Sequence, residues 1–172
     1  MRYVGTCYRA HDPRWSFKPH SGEGAAVHGG RFNEKGRLAL YLSLSIETAV
    51  KEINQGFAFK MNPCVLCSYQ VDCIDIADLR SESGREQFKV ALSEMSCGWF
   101  DLAANGQTPP SWRMAELLIA NGVAGILVPS FASQSTPLDQ NLVLWTWGEH
   151  LPHQVRVFDP SGRLPKNQLS WD

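Results

Sequence analysis

Three residues of types that could act together on one substrate, Arg31, Tyr41 and Glu52, occur within a stretch of 22 residues. They lie in the sequence "GGRFNEKGRLALYLSLSIETAVKEI", which spans residues 29–53. The two glycines before Arg31 allow a sharp turn or a close approach of the backbone to a ligand. A guanidinium placed there can bind a phosphate or a carboxylate through two parallel hydrogen bonds. Small residues two positions either side of Tyr41 leave room for a flat ligand beside its ring.

Each of the three residues has an ordinary explanation when it is taken alone, as a solvated arginine, a half-buried strand tyrosine or a helical glutamate paired with a lysine. Together they match what cleavage of a nicotinamide N-glycosidic bond needs. Nicotinamide leaves as a neutral base, so the main demand is stabilisation of a positively charged ribosyl centre, which a carboxylate can supply. A glutamate can also hold the ribose hydroxyls and orient the incoming nucleophile.

The segments before the glutamate predict two strands separated by a long loop. Residues 1–11 carry β-branched and aromatic residues at a two-residue period, which predicts a first strand. Residues 11–37 are rich in glycine, proline and charge, which predicts a long irregular loop, and loops of this length are commonly functional or disordered. Residues 37–43 alternate, with three leucines on one face and Tyr41 on the other.

A helix is predicted over residues 45–56, with Ser45 as its N-cap and Gly56 as its stop. Glu52 falls at the edge of the apolar stripe of this helix, where a carboxylate can face a cleft beside the core. The remaining predicted elements are strands at residues 64–76, 123–131, 141–147 and 153–159, and helices at residues 82–97 and 111–122, the second capped by Ser111. This order predicts an α+β fold with a mixed β-sheet, and no linker divides residues 1–172 into more than a single domain.

The bulk composition excludes several classes of partner. A net charge of −1 and a pI of about 6.5 indicate neither a nucleic-acid partner nor an anionic membrane surface. No apolar run approaches the roughly 20 residues that cross a bilayer. The N-terminus becomes polar too early for a secretory signal, so we expect a cytoplasmic location and reduced cysteines.

Several common site types are absent from the sequence. It contains no dinucleotide-binding glycine fingerprint, no phosphate loop and no G-x-S-x-G nucleophile motif. Cys64 and Cys67 have C-x-x-C spacing, but no second pair or histidine cluster completes a zinc site, so no metal is expected. Cleavage of a nicotinamide bond requires none of these features.

Four stretches of the chain resemble the RES domain family: "CYRAHDPRW", "GGRFNEKGRLALYLSLSIETAVKE", "GVAGILVPSFAS" and "NLVLWTW". The central pattern, G-R-x-N followed by L-Y-x-S and A-x-x-E, is the most specific part. The resemblance implies a compact α+β fold similar to ADP-ribosyltransferases and a toxin that consumes NAD+ as its substrate, without a prosthetic group. It also implies a helix-turn-helix (Xre-type) antitoxin as the partner that blocks the active site.

The resemblance assigns expected roles to five residues. Glu52 would stabilise the ribosyl cation, Tyr41 would stack on nicotinamide, and Arg31 and Arg9 would hold the diphosphate. Ser130 fits best as the family serine that hydrogen-bonds the nicotinamide amide or the ribose, and Ser133 is the alternative.

Several alternatives stay open at this stage. The acceptor of ADP-ribose can be water, phosphate or a target protein. A non-catalytic module that binds a nucleotide or a protein is the competing hypothesis, whereas near-zero charge argues against an RNA-cleaving toxin. Trp145 and Trp147, predicted on one strand face, would suit a homodimer or antitoxin interface, and a tryptophan-rich core explains them equally well.

Overall fold

In the computed structural model, which describes residues 1–54 and 62–169, seven strands form one sheet in the order β4-β5-β6-β2-β1-β3-β7. The strands are β1 (Tyr3–His11), β2 (Leu40–Ser43), β3 (Val65–Cys73), β4 (Ile76–Asp78), β5 (Gly125–Pro129), β6 (Gln140–Leu144) and β7 (His153–Val157). β4 and β5 pair in parallel and the other neighbours are antiparallel. The predicted α+β class with a mixed sheet is therefore confirmed.

The described helices are α1 (Glu23–His28), α2 (Ile46–Ile53), α3 (Glu82–Phe88), α4 (Leu92–Met95), α5 (Trp99–Ala104) and α6 (Pro110–Ala120), with a 3-10 turn at Pro13–Trp15. The Ser45 side chain accepts a hydrogen bond from the Thr48 amide, which confirms the predicted N-cap of α2. The predicted stop at Gly56 lies outside the described residues. None of the described helices is long and apolar enough to cross a membrane.

Three helix predictions differ from the structure. The predicted helix at 82–97 is two helices, because Lys89 adopts a left-handed conformation (φ 54°) that ends α3. The predicted loop at 11–37 contains α1, which ends at Gly29 with φ 75°. Ser111 lies buried inside α6 and does not cap it, because Pro109 occupies the N-cap and Pro110 the first helical position.

The sheet has an apolar cluster on each face. On one face, Met95, Met114 and Leu118 from the helices pack against Ile126 and Val143 from the strands. The opposite cluster contains these buried strand residues: Cys7, Leu40, Leu42, Cys67, Tyr69, Val71, Cys73, Ile76, Leu127, Leu142, Leu144 and Val155. Burial of both faces explains why β5 and β6 contain nearly continuous apolar runs.

The prediction that Trp145 and Trp147 share a strand face is wrong. β6 ends at Leu144, and the two indoles pack into the two different clusters, Trp145 as a buried member of the first and Trp147 against the edge of the second. These two side chains therefore belong to the core on opposite sides of the sheet.

At the centre of the sheet, the backbone pairing between β1 and β2 is short. β1 pairs with β3 over nine residues, and β2 pairs with β6 over four. Between β1 and β2 the register contains one pair, Tyr8 with Ser43. Beyond this pair the sheet divides into two groups of strands, β4-β5-β6-β2 and β1-β3-β7. The two groups diverge, which leaves room for a cleft between them.

The cluster of buried strand residues predicts a large effect of truncation at Leu127 of β5, which is 0% exposed. Leu127→Ala is expected to lower the free energy of unfolding by about 2–5 kcal/mol, because it removes buried methyl groups and leaves a cavity. Leu117→Ala, on the 66%-exposed Leu117 of α6, is the control and should change it by less than about 0.5 kcal/mol. Urea unfolding at neutral pH measures both, and equal effects would contradict this packing.

Candidate functional site

The cleft where β1 and β2 diverge contains two adjoining cavities of about 370 and 200 Å³. Both are lined by Arg9 of β1, Tyr41 of β2, Glu52 of α2 and Asn141 of β6, and Arg31 lines the larger one. Four of the five residues singled out in the sequence therefore face one cleft. The two guanidiniums and one carboxylate give its described lining a net positive charge, which suits an anionic ligand.

The Glu52 carboxylate is held by side chains from two other elements. The Ser130 hydroxyl, which follows the end of β5, donates to Glu52 Oε1 at 2.7 Å. The Asn141 amide Nδ2 donates a short hydrogen bond to the same oxygen. Asn141 is oriented in turn by the Ser43 hydroxyl, which donates to its Oδ1 at 2.8 Å. Two donors on one oxygen fix the orientation of the carboxylate.

The structure distinguishes the two serines by position. Ser130 is buried and contacts Glu52, whereas Ser133 is exposed in the following loop. Because the single Ser130 proton goes to Glu52, its oxygen accepts from the Ala132 amide at 3.2 Å and from the Ser135 hydroxyl at 2.7 Å. Ser130 is thus placed to position the glutamate.

Arg31 reaches the cleft from the loop after α1. Its Nη1 donates to the carbonyl oxygens of Met95 and Cys97 at 3.0 and 2.7 Å, and its guanidinium lies 4.7 Å from the centre of the Phe131 ring. Burial lowers the pKa of Arg31, and the Glu52 carboxylate acts in the opposite direction. Arginine stays charged under such shifts. Within the described part of the chain, Nε and Nη2 make no hydrogen bond, so they can donate to an anionic oxygen.

Tyr41 is tied to the loop that carries Arg31. Its hydroxyl donates to Asn33 Oδ1 at 2.8 Å and accepts from the Phe32 amide at 2.9 Å. Burial raises the pKa of Tyr41 well above its usual range, which keeps this donor protonated. Gly30 packs so closely that a Cβ there would lie 2.6 Å from the Tyr41 oxygen. The hydroxyl is therefore structural, and the ring is the part of Tyr41 that lines the cleft.

Arg9 lies at the other side of the cleft. Its Nη1 donates to the backbone carbonyls of Pro19 and Ser21 at 3.2 and 2.9 Å. Burial lowers the pKa of this guanidinium. No carboxylate among residues 1–54 and 62–169 pairs with it. A half-buried cation without a carboxylate partner is a favourable contact for an anionic ligand.

A second carboxylate, Asp139, holds α2 in place. Asp139 is 4% exposed, and it accepts from Thr48 at 2.8 Å and Lys51 at 2.7 Å on α2. It also accepts from the amide and the hydroxyl of Thr136 at 2.7 and 2.9 Å. The helix that carries Glu52 is thereby fixed to the loop between Ser130 and β6.

Sequence reasoning missed several residues that build this site. Asn33 is fully buried and donates to the carbonyls of Ala25, Glu34 and Arg37. It stands in the G-R-x-N pattern, which was the available signal. Trp99 and Phe131 also line the cleft. No motif marked Trp99 or Asp139, because their contacts join distant segments.

Three tryptophans anchor the loops around the cleft through their indole N–H groups. Trp112 donates to the carbonyl of Gly30 at 2.7 Å, Trp145 to that of Phe32 at 2.9 Å, and Trp147 to that of His20 at 3.0 Å. Each bond satisfies a buried donor and fixes a stretch of irregular backbone.

Metal-ligating side chains do not cluster in the described residues: no group of three or more His, Cys, Asp or Glu lies close enough to hold an ion. All five cysteines are free, and Cys7, Cys67 and Cys73 are buried.

The Asp139 contacts predict an acid-dependent loss of stability. Lys51 first, then Thr136, lowers the pKa of Asp139 far below its usual value. Its stabilisation is therefore complete above its unfolded-state pKa of about 3.9 and is lost as pH falls below that value. Asp139→Asn should lower the free energy of unfolding by about 1–3 kcal/mol at pH 7. This difference should shrink between pH 5 and pH 2 in thermal unfolding, and a gap that stays constant with pH would contradict the assignment.

Comparison with known proteins identifies the family of this chain. A search of curated protein sequences returns no match. The MbcT toxin in the crystal structure of the M. tuberculosis MbcT-MbcA toxin-antitoxin complex is similar in fold, with a TM-score of 0.58 and 21% identity over 92% of this chain and 84% of that chain. This likeness agrees with the expected α+β fold. The RES domain profile matches residues 6–167, nearly the whole length, and the chain therefore belongs to the RES domain family.

Proposed function

We propose that this protein is the toxin of a toxin-antitoxin system that cleaves NAD+ at the nicotinamide–ribose bond and passes ADP-ribose to an acceptor. The observation that carries the proposal is the Glu52 carboxylate, held by Ser130 and Asn141 in a cleft that also presents two guanidiniums and an aromatic ring. Membership of the RES domain family supports the same reaction.

In the proposed reaction, the bond between ribose C1′ and the pyridinium nitrogen breaks and its electron pair goes to nitrogen. Nicotinamide departs neutral, and positive charge develops on C1′ and the ring oxygen. The fixed Glu52 carboxylate stabilises that charge without reorganising at the moment of reaction. An acceptor oxygen then forms the new bond to C1′ and releases its proton to solvent or to Glu52.

The other side chains bind and orient the substrate. Arg31 offers Nε and Nη2 to the diphosphate oxygens, while its Nη1 is retained by the carbonyls of Met95 and Cys97 at the end of α4. Arg9 supplies the second cation. The Tyr41 ring lines the cavity for the flat nicotinamide, and Ser130 and Asn141 keep the carboxylate in its reactive orientation. Direct contact of Ser130 with the nicotinamide amide or the ribose requires the Ser135 hydroxyl to leave the Ser130 oxygen, because the Ser130 proton is engaged by Glu52.

The acceptor of ADP-ribose is water, phosphate or a side chain of a target protein. All three reactions share the same first step, the cleavage of the nicotinamide–ribose bond. We further propose that the protein acts in the cytoplasm and is inhibited there by an antitoxin of the helix-turn-helix type that covers the cleft. The crystal structure of MbcT with MbcA, a toxin-antitoxin complex, supports the existence of such a partner.

The proposed role of Glu52 predicts the effect of its neutral isostere. Glu52→Gln is expected to lower kcat for nicotinamide release from NAD+ by roughly 10²–10³-fold, because it removes the charge that stabilises the ribosyl cation. Nicotinamide release by purified protein is measured by chromatography, with and without phosphate, and with cell extract as a source of acceptor proteins.

Glu47→Gln is the matched control, because Glu47 is exposed on the same helix. It should leave kcat unchanged. Nicotinamide release that requires phosphate would identify phosphate as the acceptor. Absence of release under every condition would reject the proposed reaction and favour the non-catalytic binding module.

The toxin proposal predicts a growth phenotype that depends on the same carboxylate. Induced expression of the wild-type protein in bacteria should deplete cellular NAD+ and stop growth, because central metabolism depends on NAD+. Glu52→Gln should permit growth at equal expression level, and Glu47→Gln should not. Arrest by the Glu52→Gln variant, with NAD+ unchanged, would point to a toxic binding function.

A further inference from the structure

The irregular segment Pro19–Ser21, which precedes α1, is held by side chains from other parts of the fold. The Tyr69 hydroxyl of β3 donates to the Pro19 carbonyl at 2.9 Å, and the Trp147 indole donates to the His20 carbonyl at 3.0 Å. Connecting segments are usually the more mobile parts of a protein, because few groups hold their backbone. This segment is therefore unusual in having its backbone fixed from two sides.

The side chain of His20 adds a further tether to the same segment. Its Nε2 accepts a hydrogen bond from the Val157 amide of β7, the edge strand of the sheet, at 3.0 Å. The ring packs edge-on against the ring of Tyr69, with centroids 5.9 Å apart and an interplanar angle of 80°. An imidazole nitrogen that accepts an N–H carries no proton. The contact with Val157 therefore requires the neutral form of His20, protonated on Nδ1.

The carbonyls on either side of His20 hold the Arg9 guanidinium. Arg9 Nη1 donates to the carbonyl oxygens of Pro19 and Ser21 at 3.2 and 2.9 Å. Carbonyl oxygens orient a guanidinium without neutralising it, so the positive charge stays available to a ligand in the cleft. The position of Arg9 in the cleft thus depends on the path of the segment that His20 fixes.

The surroundings of His20 favour its neutral form. Burial lowers the pKa of His20, the Glu149 carboxylate in the loop before β7 opposes this shift, and the Arg9 guanidinium of β1 adds to it. Tyr69, which packs against the ring, stays protonated because burial raises its pKa well above the usual range. His20 therefore gains its proton only below its usual pKa of about 6.5. A proton on Nε2 would face the Val157 N–H, and this hydrogen bond would be lost.

We propose that His20 is a positioning residue for substrate binding, whose neutral imidazole fixes the Pro19–Ser21 segment so that its carbonyls hold Arg9 toward the diphosphate of NAD+. This inference rests on the proposed function for the identity of the anionic ligand. Protonation of His20 loosens the segment and withdraws Arg9 from the ligand. The side chains that hold Glu52 lie on other elements, so the effect is on binding and not on the chemical step.

Equilibrium binding of ADP-ribose tests this role without turnover, because ADP-ribose has the diphosphate and no nicotinamide bond. In isothermal titration calorimetry, the wild-type Kd should rise as pH falls from about 7.5 to about 5. His20→Gln offers an amide oxygen to the Val157 amide and does not titrate in this range, so its Kd should stay near the wild-type value at neutral pH. His20→Ala removes the acceptor and should raise the Kd roughly tenfold at neutral pH.

His150→Gln is the matched control, because His150 is an exposed histidine in the loop before β7. It should keep both the wild-type Kd and its pH dependence. Thermal unfolding of every variant verifies folding at each pH. The KM for NAD+ should follow the pattern of the ADP-ribose Kd, with kcat in His20→Ala nearly unchanged at neutral pH.

The outcomes separate the role of His20 from the proposed reaction. An acid-dependent rise in Kd that is equal in His20→Gln and the wild type, or absent from the wild type, would overturn the positioning role even where NAD+ is cleaved. Wild-type affinity in His20→Ala, or no binding of ADP-ribose by the wild type at millimolar concentration, would overturn it as well. ADP-ribose binding with the expected pattern, in a protein that releases no nicotinamide, would retain the role of His20 and reject the catalytic proposal.

Discussion

The hydrogen bonds to one carboxylate oxygen, Oε1 of Glu52, join α2 to two residues that are far from it in sequence. Ser130 lies 78 residues from Glu52, and Asn141 lies 89 residues from it. Asn141 is also bonded to Ser43, so β2, β6, the end of β5 and α2 meet at this oxygen. Asp139 makes the second connection between the same helix and loop. The site is therefore assembled only when the central sheet is complete.

The weak junction between β1 and β2 gives the cleft its place in the fold. A continuous ladder would bring the two strands within about 5 Å and close the space between Arg9 and Tyr41. With a single register pair at Tyr8 and Ser43, each strand keeps its own partner on the other side. The sheet thus provides rigid walls, while the segments at residues 12–39 and 130–139 supply side chains that line the cleft.

Local patterns predicted much of this arrangement and failed where distant contacts decide the structure. Alternation and capping correctly predicted β1 and the start of α2, because these depend on neighbouring residues. The left-handed Lys89 that divides the 82–97 segment has no local signal, since lysine favours helices. The shared cleft of Arg9, Arg31, Tyr41 and Glu52 was predicted from family motifs, one of which also contains Asn33, whereas Asp139 and Trp99 act through contacts that no spacing reveals.

The indoles that hold the cleft loops bind backbone carbonyls at Gly30, Phe32 and His20. A carbonyl oxygen is present whatever side chain its residue carries, so these three bonds do not depend on the identity of residues 20 and 32. Gly30 is the exception, because of its close contact with Tyr41. The loop at residue 32 can therefore keep its shape when the side chain there changes, because the indole holds the backbone itself, whereas at residue 20 the His20 ring adds its own bond to Val157.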